Sequence, residues 1–184
     1  METSLAHARL LALLREKSVR FGEFVLASGK TSDFYVDVRQ TSLHVEGAYL
    51  IATLVLARMH PETQAVGGMT MGADPIACAT AAVSFGTSKP VHGFLIRKTP
   101  KGHGAGQSVE GMANLPAGTP VTMVEDTTTT GGSLLRAIEL AEEAGLRVVQ
   151  CITVVDREEG AKERLAEAGY VLEALTCRSE LAAS

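Results

Sequence analysis

The clearest pattern in the sequence is Val121-Thr122-Met123-Val124-Glu125-Asp126-Thr127-Thr128-Thr129-Thr130-Gly131-Gly132-Ser133. An apolar strand ends in two adjacent carboxylates, a run of threonines and glycines follows, and a helix then begins. In an open α/β sheet, ligands bind at the carboxyl ends of the strands. The segment therefore predicts an α/β fold with a ligand site at this turn.

Strands and helices alternate on both sides of this segment from about residue 45 onward. Helices are predicted over residues 47–59, 73–84, 131–144 and 158–168, and strands over residues 64–68, 91–96, 121–124, 147–155 and 170–175. Such alternation implies βαβ units around a mostly parallel sheet flanked by helices. Residues 98–113 are rich in glycine and polar residues, so we expect a mobile loop there.

The N-terminal part does not follow this alternation. Residues 2–17 have leucines at helical spacing, and residues 24–26 and 34–38 are expected to be short strands joined by a turn. We expect one domain over residues 1–184, in which about residues 1–40 contribute an N-terminal helix and a small hood that covers the site.

Composition excludes several classes of protein. The chain has 184 residues, of which 46% are hydrophobic and 21% charged, so a folded core is expected. The net charge of −4 argues against broad binding to nucleic acid or to anionic membranes. No apolar run is long enough for a membrane span. The three cysteines are far apart, which argues against a zinc site and fits a reducing cytoplasm.

The residues of the 121–133 segment suit a phosphorylated sugar. Backbone N–H groups at the turn and the helix N-terminus favour an anion, and Gly131 and Gly132 allow its close approach. Glu125 and Asp126 would repel a bare phosphate but could accept hydrogen bonds from sugar hydroxyls. The segment therefore predicts a ribose-5-phosphate cradle. It matches neither a Walker A loop nor GxGxxG. The alternative is an ordinary strand–turn–helix with solvated acids.

This segment resembles the signature with which type I phosphoribosyltransferases bind phosphoribosyl pyrophosphate (PRPP). The resemblance implies the type I phosphoribosyltransferase fold, a parallel sheet flanked by helices and topped by a hood. It implies that Glu125 and Asp126 hold the ribose 2′ and 3′ hydroxyls while Thr127 to Ser133 wrap the 5′-phosphate, with Thr127, Thr128, Thr129, Thr130, Gly131, Gly132 and Ser133 all in contact with PRPP. Mg²⁺ is the implied cofactor, and no direct protein ligand is expected beyond Glu125 and Asp126.

The stretch Phe21-Gly22-Glu23-Phe24-Val25-Leu26-Ala27-Ser28-Gly29-Lys30-Thr31-Ser32-Asp33-Phe34-Tyr35-Val36-Asp37 is similar to the hood of orotate phosphoribosyltransferases. The resemblance implies that Phe34 and Tyr35 face the pyrimidine, where aromatic rings suit a flat heterocycle, and that Thr129 also contacts orotate. The alternative is a hairpin that buries Phe34 in the core.

The stretch Arg97-Lys98-Thr99-Pro100-Lys101-Gly102-His103-Gly104 resembles the flexible loop of the same family. Arg97, Lys98, Lys101 and His103 are expected to bind the pyrophosphate of PRPP. Of these, Arg97, Lys101 and His103 are implied to be catalytic together with Asp126. In the family the loop reaches the neighbouring subunit, so the resemblance implies a homodimer in which loop 98–110 completes the partner's site. The alternative is a solvated basic loop.

A third stretch, Val155-Asp156-Arg157-Glu158-Glu159-Gly160, resembles the family motif whose arginine meets the orotate carboxylate. Arg157 could offer a bidentate fork to that group. It follows a predicted strand end, where ligands are expected. The alternative is an ion pair between Arg157 and Glu158 or a neighbouring acid.

Two positions depart from the family pattern. Ala27 stands where many members have a lysine, and the stretch from Gly67 to Pro75 also lacks one. We expect backbone N–H groups of Thr70 to Ala73 to bind pyrophosphate instead. The implied activity is transfer of the phosphoribosyl group to orotate. The alternatives are a purine phosphoribosyltransferase, a PRPP-sensing regulator without activity, and a plain structural domain.

Overall fold

The computed structural model describes residues 2–25, 31–99 and 108–183. Its helices are α1 (Thr3–Lys17), α2 (Arg39–Ser42), α3 (Val45–Arg58), α4 (Asp74–Ser84), α5 (Gly132–Glu143), α6 (Ala161–Glu167) and α7 (Arg178–Ala182). Its strands are β1 (Val19–Val25), β2 (Thr31–Val36), β3 (Ala65–Met69), β4 (His92–Ile96), β5 (Val109–Glu110), β6 (Pro120–Thr128), β7 (Arg147–Asp156) and β8 (Leu172–Cys177). A short 3₁₀ helix spans Met112–Asn114.

The main sheet has six strands in the order β5-β4-β3-β6-β7-β8. Five adjacent strands of this sheet are parallel, namely β4, β3, β6, β7 and β8. The edge strand β5 is antiparallel to its neighbour β4. This confirms the mostly parallel sheet predicted from the alternation of elements. Because parallel strands end at the same edge, the residues after β3, β4, β6 and β7 meet there.

Two helical layers cover the sheet. Successive strand residues point to opposite faces, so Val124 packs with α1, α3 and α4 while its neighbour Met123 packs with α5 and α6. Every residue of β3 is buried, as expected for a strand covered on both faces. The two apolar layers hold the sheet rigid and leave its carboxyl edge as the place for a site.

The hood is a separate antiparallel pair, β1 and β2. It is anchored by Val19 and Phe34, which are buried in the same core cluster as α1 and α3. The first strand begins at Val19, earlier than the predicted residue 24, because the apolar positions of β1 alternate with Arg20 and Glu23 and give a weak strand signal.

Three further details differ from the sequence predictions. The region 98–113, expected to be loop throughout, contains β5 and the 3₁₀ helix at its end. The last long helix begins at Ala161 rather than at residue 158, because Glu158 and Gly160 both have positive φ. The short helices α2 and α7 were not predicted. No helix in the described part of the chain is long and apolar enough to cross a bilayer.

Candidate active site

A cleft of about 380 Å³ opens between the hood and the carboxyl edge of the sheet. The residues that line it are Tyr35, Val36, Asp37, Arg39, Met69, Thr70, Met71, Gly72, Lys98, Glu125, Asp126, Thr127 and Ser133. They come from the end of β2, the start of α2, the ends of β3 and β6, the loops after β3 and β4, and the start of α5. The cleft therefore lies at the edge where the sequence placed the site.

The acidic pair stands at the centre of this cleft. Glu125 is 7% exposed, and its Oε2 atom has no hydrogen-bond partner among the described residues. Burial raises the pKa of Glu125 to about 8, and the neighbouring Asp126 adds to the rise while Lys98 opposes it. Burial also raises the pKa of Asp126, although Oδ1 of Asp126 accepts a hydrogen bond of 2.8 Å from the N–H of Thr127. A buried carboxylate that lacks donors is suited to a ligand that brings hydroxyl groups.

The raised pKa of Glu125 predicts a pH-dependent stability. The pKa of this carboxyl is near its ordinary value of 4.5 in the unfolded chain and about 8 in the folded one. Between these values the folded state binds more protons, so the free energy of unfolding falls as pH rises. We expect Glu125→Gln to leave stability almost unchanged at about pH 5 and to raise it by roughly a few kcal/mol at about pH 9.

Denaturant unfolding at the two pH values measures this difference. Glu167→Gln is the matched control, because Glu167 is an exposed carboxyl at the end of α6. The control should keep the pH profile of the unchanged protein. Equal unfolding free energies for the unchanged protein and Glu125→Gln at the higher pH would contradict the proposed burial of an ionisable carboxyl.

The predicted phosphate cradle forms a smaller recess of about 60 Å³ beside the cleft. Its lining residues are Glu125, Thr127, Thr128, Thr129, Thr130, Gly131, Gly132, Ser133 and Leu134. Gly131 has φ 76°, and a Cβ atom there would lie 2.6 Å from Leu165 Cδ1, so both its conformation and its packing require glycine. Helix α5 begins at the next residue, so its N-terminal N–H groups point toward the recess. The whole predicted loop is thus brought together around one anion-sized space.

The loop after β3 approaches the acidic pair from the opposite side. A Cβ atom on Gly72 would lie 2.5 Å from Asp126 Oδ1, so this glycine allows the loop to pass close to that carboxylate. We expected backbone N–H groups of Thr70 to Ala73 to bind pyrophosphate, and this is wrong for Thr70 and Ala73, whose N–H groups are already used. The N–H of Thr70 donates to the Ile96 carbonyl and the N–H of Ala73 to the Met69 carbonyl. Met71 and Gly72 remain the candidate donors.

The two hood aromatics lie on opposite faces of β2. Tyr35 is 39% exposed, lines the cleft and packs 5.6 Å from the Phe24 ring. Phe34 is fully buried and contacts Phe21. Phe34 therefore belongs to the core, which was the alternative to a role beside the base. Strand alternation accounts for the difference. A role beside the base stays a prediction for Tyr35.

Arg157 follows β7, as the sequence indicated, but it is not among the residues that line the described cleft. Its side chain is 11% exposed, pairs with Glu159 at 2.9 Å and lies 5.9 Å from the centre of the Phe34 ring. The acid that pairs with it is Glu159, whereas Glu158 accepts hydrogen bonds from Ser179. Contact between Arg157 and a substrate carboxylate stays a prediction.

The cationic loop is only partly described. Lys98 is exposed and lines the cleft, while Arg97 pairs with Glu110 at 2.6 Å at the base of the β4–β5 connection. Lys101 and His103 lie outside the described residues, as does Ala27. The predicted roles of Lys101 and His103 stay predictions.

Asp37 was included only as the last residue of the hood stretch, and Arg39 was not predicted to be a site residue. Asp37 accepts hydrogen bonds from Arg39 Nε at 2.8 Å and from Gln40 Nε2 at 3.2 Å, and both Asp37 and Arg39 line the cleft. The Arg39 hydrogen bond lowers the pKa of Asp37, against the effect of burial. The sequence feature that could have identified this pair is the spacing of Asp37 and Arg39, one residue apart and shortly after the hood aromatics.

Comparison with known proteins agrees with this geometry. Residues 68–174 match the phosphoribosyl transferase domain family. The chain is 45% identical over 183 residues, 98% of both chains, to an orotate phosphoribosyltransferase of Rhodopseudomonas palustris. It also resembles two crystal structures of the Mycobacterium tuberculosis orotate phosphoribosyltransferase. One, with Fe(III) dicitrate, has a TM-score of 0.83 at 36% identity and covers 97% of this chain and 99% of the other. The other, with PRPP, has a TM-score of 0.75 at 30% identity and covers 96% and 92%.

Proposed function

The chain belongs to the orotate phosphoribosyltransferase family, and from this premise we propose that it joins orotate N1 to the phosphoribosyl group of PRPP. The products are orotidine 5′-monophosphate and pyrophosphate. The observation that carries the proposal is the buried Glu125, whose Oε2 has no hydrogen-bond partner in the described part of the chain, beside Asp126 at the start of the threonine–glycine loop. This activity belongs to pyrimidine biosynthesis, for which we propose a cytoplasmic setting.

Different residues of the cradle bind the ribose hydroxyls and the 5′-phosphate of PRPP. The carboxyl oxygens of Glu125 and Asp126 accept hydrogen bonds from the ribose 2′ and 3′ hydroxyls, which supply the donor that Glu125 Oε2 lacks among the described residues. The N–H groups and hydroxyls of residues 127–133 receive the 5′-phosphate at the start of α5. Tyr35 lies at the hood side of the same cleft, where the orotate ring would enter, and Thr129 lines the recess beside it, from which we propose that it also contacts orotate.

Mg²⁺ fits these residues as a substrate-held ion. Among the described residues no group of three metal-ligating side chains exists that could hold a metal alone. The available donors are the hard oxygens of Glu125 and Asp126, and Mg²⁺ typically combines one or two carboxylates with substrate phosphates. The bound ion would neutralise part of the charge on the pyrophosphate leaving group.

The protein's own residues supply positioning and electrostatics. As the bond from C1 to pyrophosphate breaks, the ribose gains oxocarbenium character, which the adjacent Asp126 carboxylate stabilises while it holds the sugar. Orotate N1 attacks C1 and needs no general base, because the ring is already anionic. Lys98 lies in the cleft, and we assign Arg97, Lys101 and His103 with it to the negative charge of pyrophosphate. Closure of the loop would exclude water.

An activity assay with several bases tests the function. With PRPP and Mg²⁺ the purified protein should convert orotate to orotidine 5′-monophosphate and leave adenine and hypoxanthine unchanged. Turnover of a purine without turnover of orotate would replace the assignment by a purine phosphoribosyltransferase. Binding of PRPP without turnover of any base would favour the regulator.

We also propose a homodimer, and the surface of α3 and α4 supports it. These neighbouring helices expose large apolar side chains, with Val45 84% and Phe85 86% exposed and Tyr49 and Cys78 also at the surface. Helix α4 contains no charged residue after Asp74. An exposed apolar surface of this kind fits a second copy of the chain, because homodimer interfaces are more apolar than the remaining surface.

Mixing two inactive variants tests whether the loop acts between subunits. A dimer of one Lys101→Ala chain and one Asp126→Asn chain has one complete site if each loop serves its partner. Because random exchange makes half of the dimers mixed, about a quarter of the original activity should return. Mixtures of Lys101→Ala with His103→Ala provide the control and should recover none. Absence of recovery in the first mixture would place each loop in its own subunit's site.

A further inference from the structure

Asp37 and Arg39 form an anchored ion pair at the hood side of the cleft. Besides Arg39 Nε at 2.8 Å, the Asp37 carboxylate accepts the backbone N–H of Arg39 at 3.2 Å and Gln40 Nε2 at 3.2 Å. These bonds fix the carboxylate to the start of α2, and Asp37 is largely buried while Arg39 is about half exposed. The bond to Asp37 uses Nε of Arg39, so it orients the guanidinium of a residue that lines the cleft.

The acids around the cleft mean that a bound polyanion needs a cation at the position of Arg39. Three acids, Asp37, Glu125 and Asp126, line the cleft, and the cations among its described lining residues are Arg39 and Lys98. The facing loop from Met69 to Ala73 contributes no cation. A polyanion that enters beside Asp126 therefore meets strong repulsion unless Arg39 and Lys98 offset it from either side.

Arg39 shares the cleft with Asp126, and the charges of the two side chains interact. The negative charge of Asp126 contributes to raising the pKa of Arg39, after the larger effects of its bond and charge interaction with Asp37. Arg39 also shares the cleft with Thr70, Met71 and Gly72, which lead into the N-terminus of α4. Arg39 and the loop where a pyrophosphate group would bind therefore line the same cleft.

We propose that Arg39, oriented by Asp37, binds the pyrophosphate group of PRPP and supplies the cation that the loop from Met69 to Ala73 lacks. The inference rests on the proposed function and names a further binding residue for that site. An arginine can bind a phosphate with two parallel N–H donors while its Nε still donates to a carboxylate, which a lysine cannot do.

Calorimetric binding of inorganic pyrophosphate with Mg²⁺, together with steady-state kinetics, tests the proposal. Arg39→Gln should weaken pyrophosphate binding and raise the KM for PRPP by about 10- to 100-fold, the effect of a lost charged hydrogen bond. The KM for orotate should stay within about threefold of the original, since the fork contacts another group. Arg39→Lys should restore only part of the affinity, because it keeps the charge and loses the fork.

Arg9→Gln is the matched control. Arg9 pairs with Glu46 through Nε at 2.6 Å and Nη2 at 2.8 Å, is similarly exposed and is not among the residues that line the cleft. It should leave both KM values unchanged. Unchanged pyrophosphate affinity in Arg39→Gln, or a rise confined to the KM for orotate, would overturn the proposal. Failure of the unchanged protein to bind pyrophosphate at all would instead count against the proposed function.

Discussion

Lys101→Ala should lower kcat by about 10²- to 10³-fold, the usual loss when one donor to a developing negative charge is removed. Pyrophosphate gains charge as it leaves C1, and we assign Lys101 to that charge. Orotate binds through other groups, so its affinity should change little. Single-turnover rates and orotate binding measured on the same preparation separate the two effects.

Lys89→Ala provides the control for charge alone. Lys89 is exposed and precedes β4, so it lies at the amino edge of the sheet, away from the cleft. Its removal should leave kcat unchanged. Similar losses in kcat and in orotate affinity for Lys101→Ala would show that Lys101 acts in general binding and not on the leaving group.

Gly72→Ala should reduce kcat/KM for PRPP by about 10²-fold, the scale expected when a catalytic group is displaced by roughly 1 Å. The added Cβ would lie 2.5 Å from Oδ1 and 2.9 Å from Oδ2 of Asp126, so the carboxylate or the loop must move. Gly72 is not among the glycines with positive φ, and the backbone itself accepts alanine. The loss should therefore come from the site and not from a strained main chain.

Gly86→Ala is the control for this substitution. Gly86 lies just after α4, and the nearest heavy atom to an added Cβ is the Val83 carbonyl oxygen at 3.9 Å. We expect unchanged kinetics and unchanged thermal stability. Gly72→Ala with normal kcat/KM would mean that Asp126 does not need its present position to bind PRPP.

The sequence predicted the sheet and its ligand edge because strong local patterns set both. Every residue of β3 is buried, and β6 begins with mostly apolar residues before its two acids. The acids, threonines and glycines that end β6 and open α5 together indicate a site for a phosphorylated sugar. The hood strands were predicted too short, since β1 mixes Arg20 and Glu23 with its apolar residues. Short elements such as α2 carry too few residues for a periodic signal.

At the site, the directions of the side chains were the main feature that could not be predicted from the sequence. The sequence motif treated Phe34 and Tyr35 alike, yet adjacent strand residues point to opposite faces, and only the fold shows which face is the core. The pairing of Arg157 with Glu159 depends in the same way on the turn after β7, where Glu158 has positive φ. Arg39 was missed because its importance comes from Asp126, which is far away in sequence and near in space.

A crystal structure of the protein with PRPP and Mg²⁺ measures the central claim most directly. We predict ribose hydroxyls at about 2.6–3.2 Å from carboxylate oxygens of Glu125 and Asp126. The 5′-phosphate should lie against the N–H groups of residues 129–132 at the start of α5. A sugar bound elsewhere, or carboxylates turned away from it, would contradict the account.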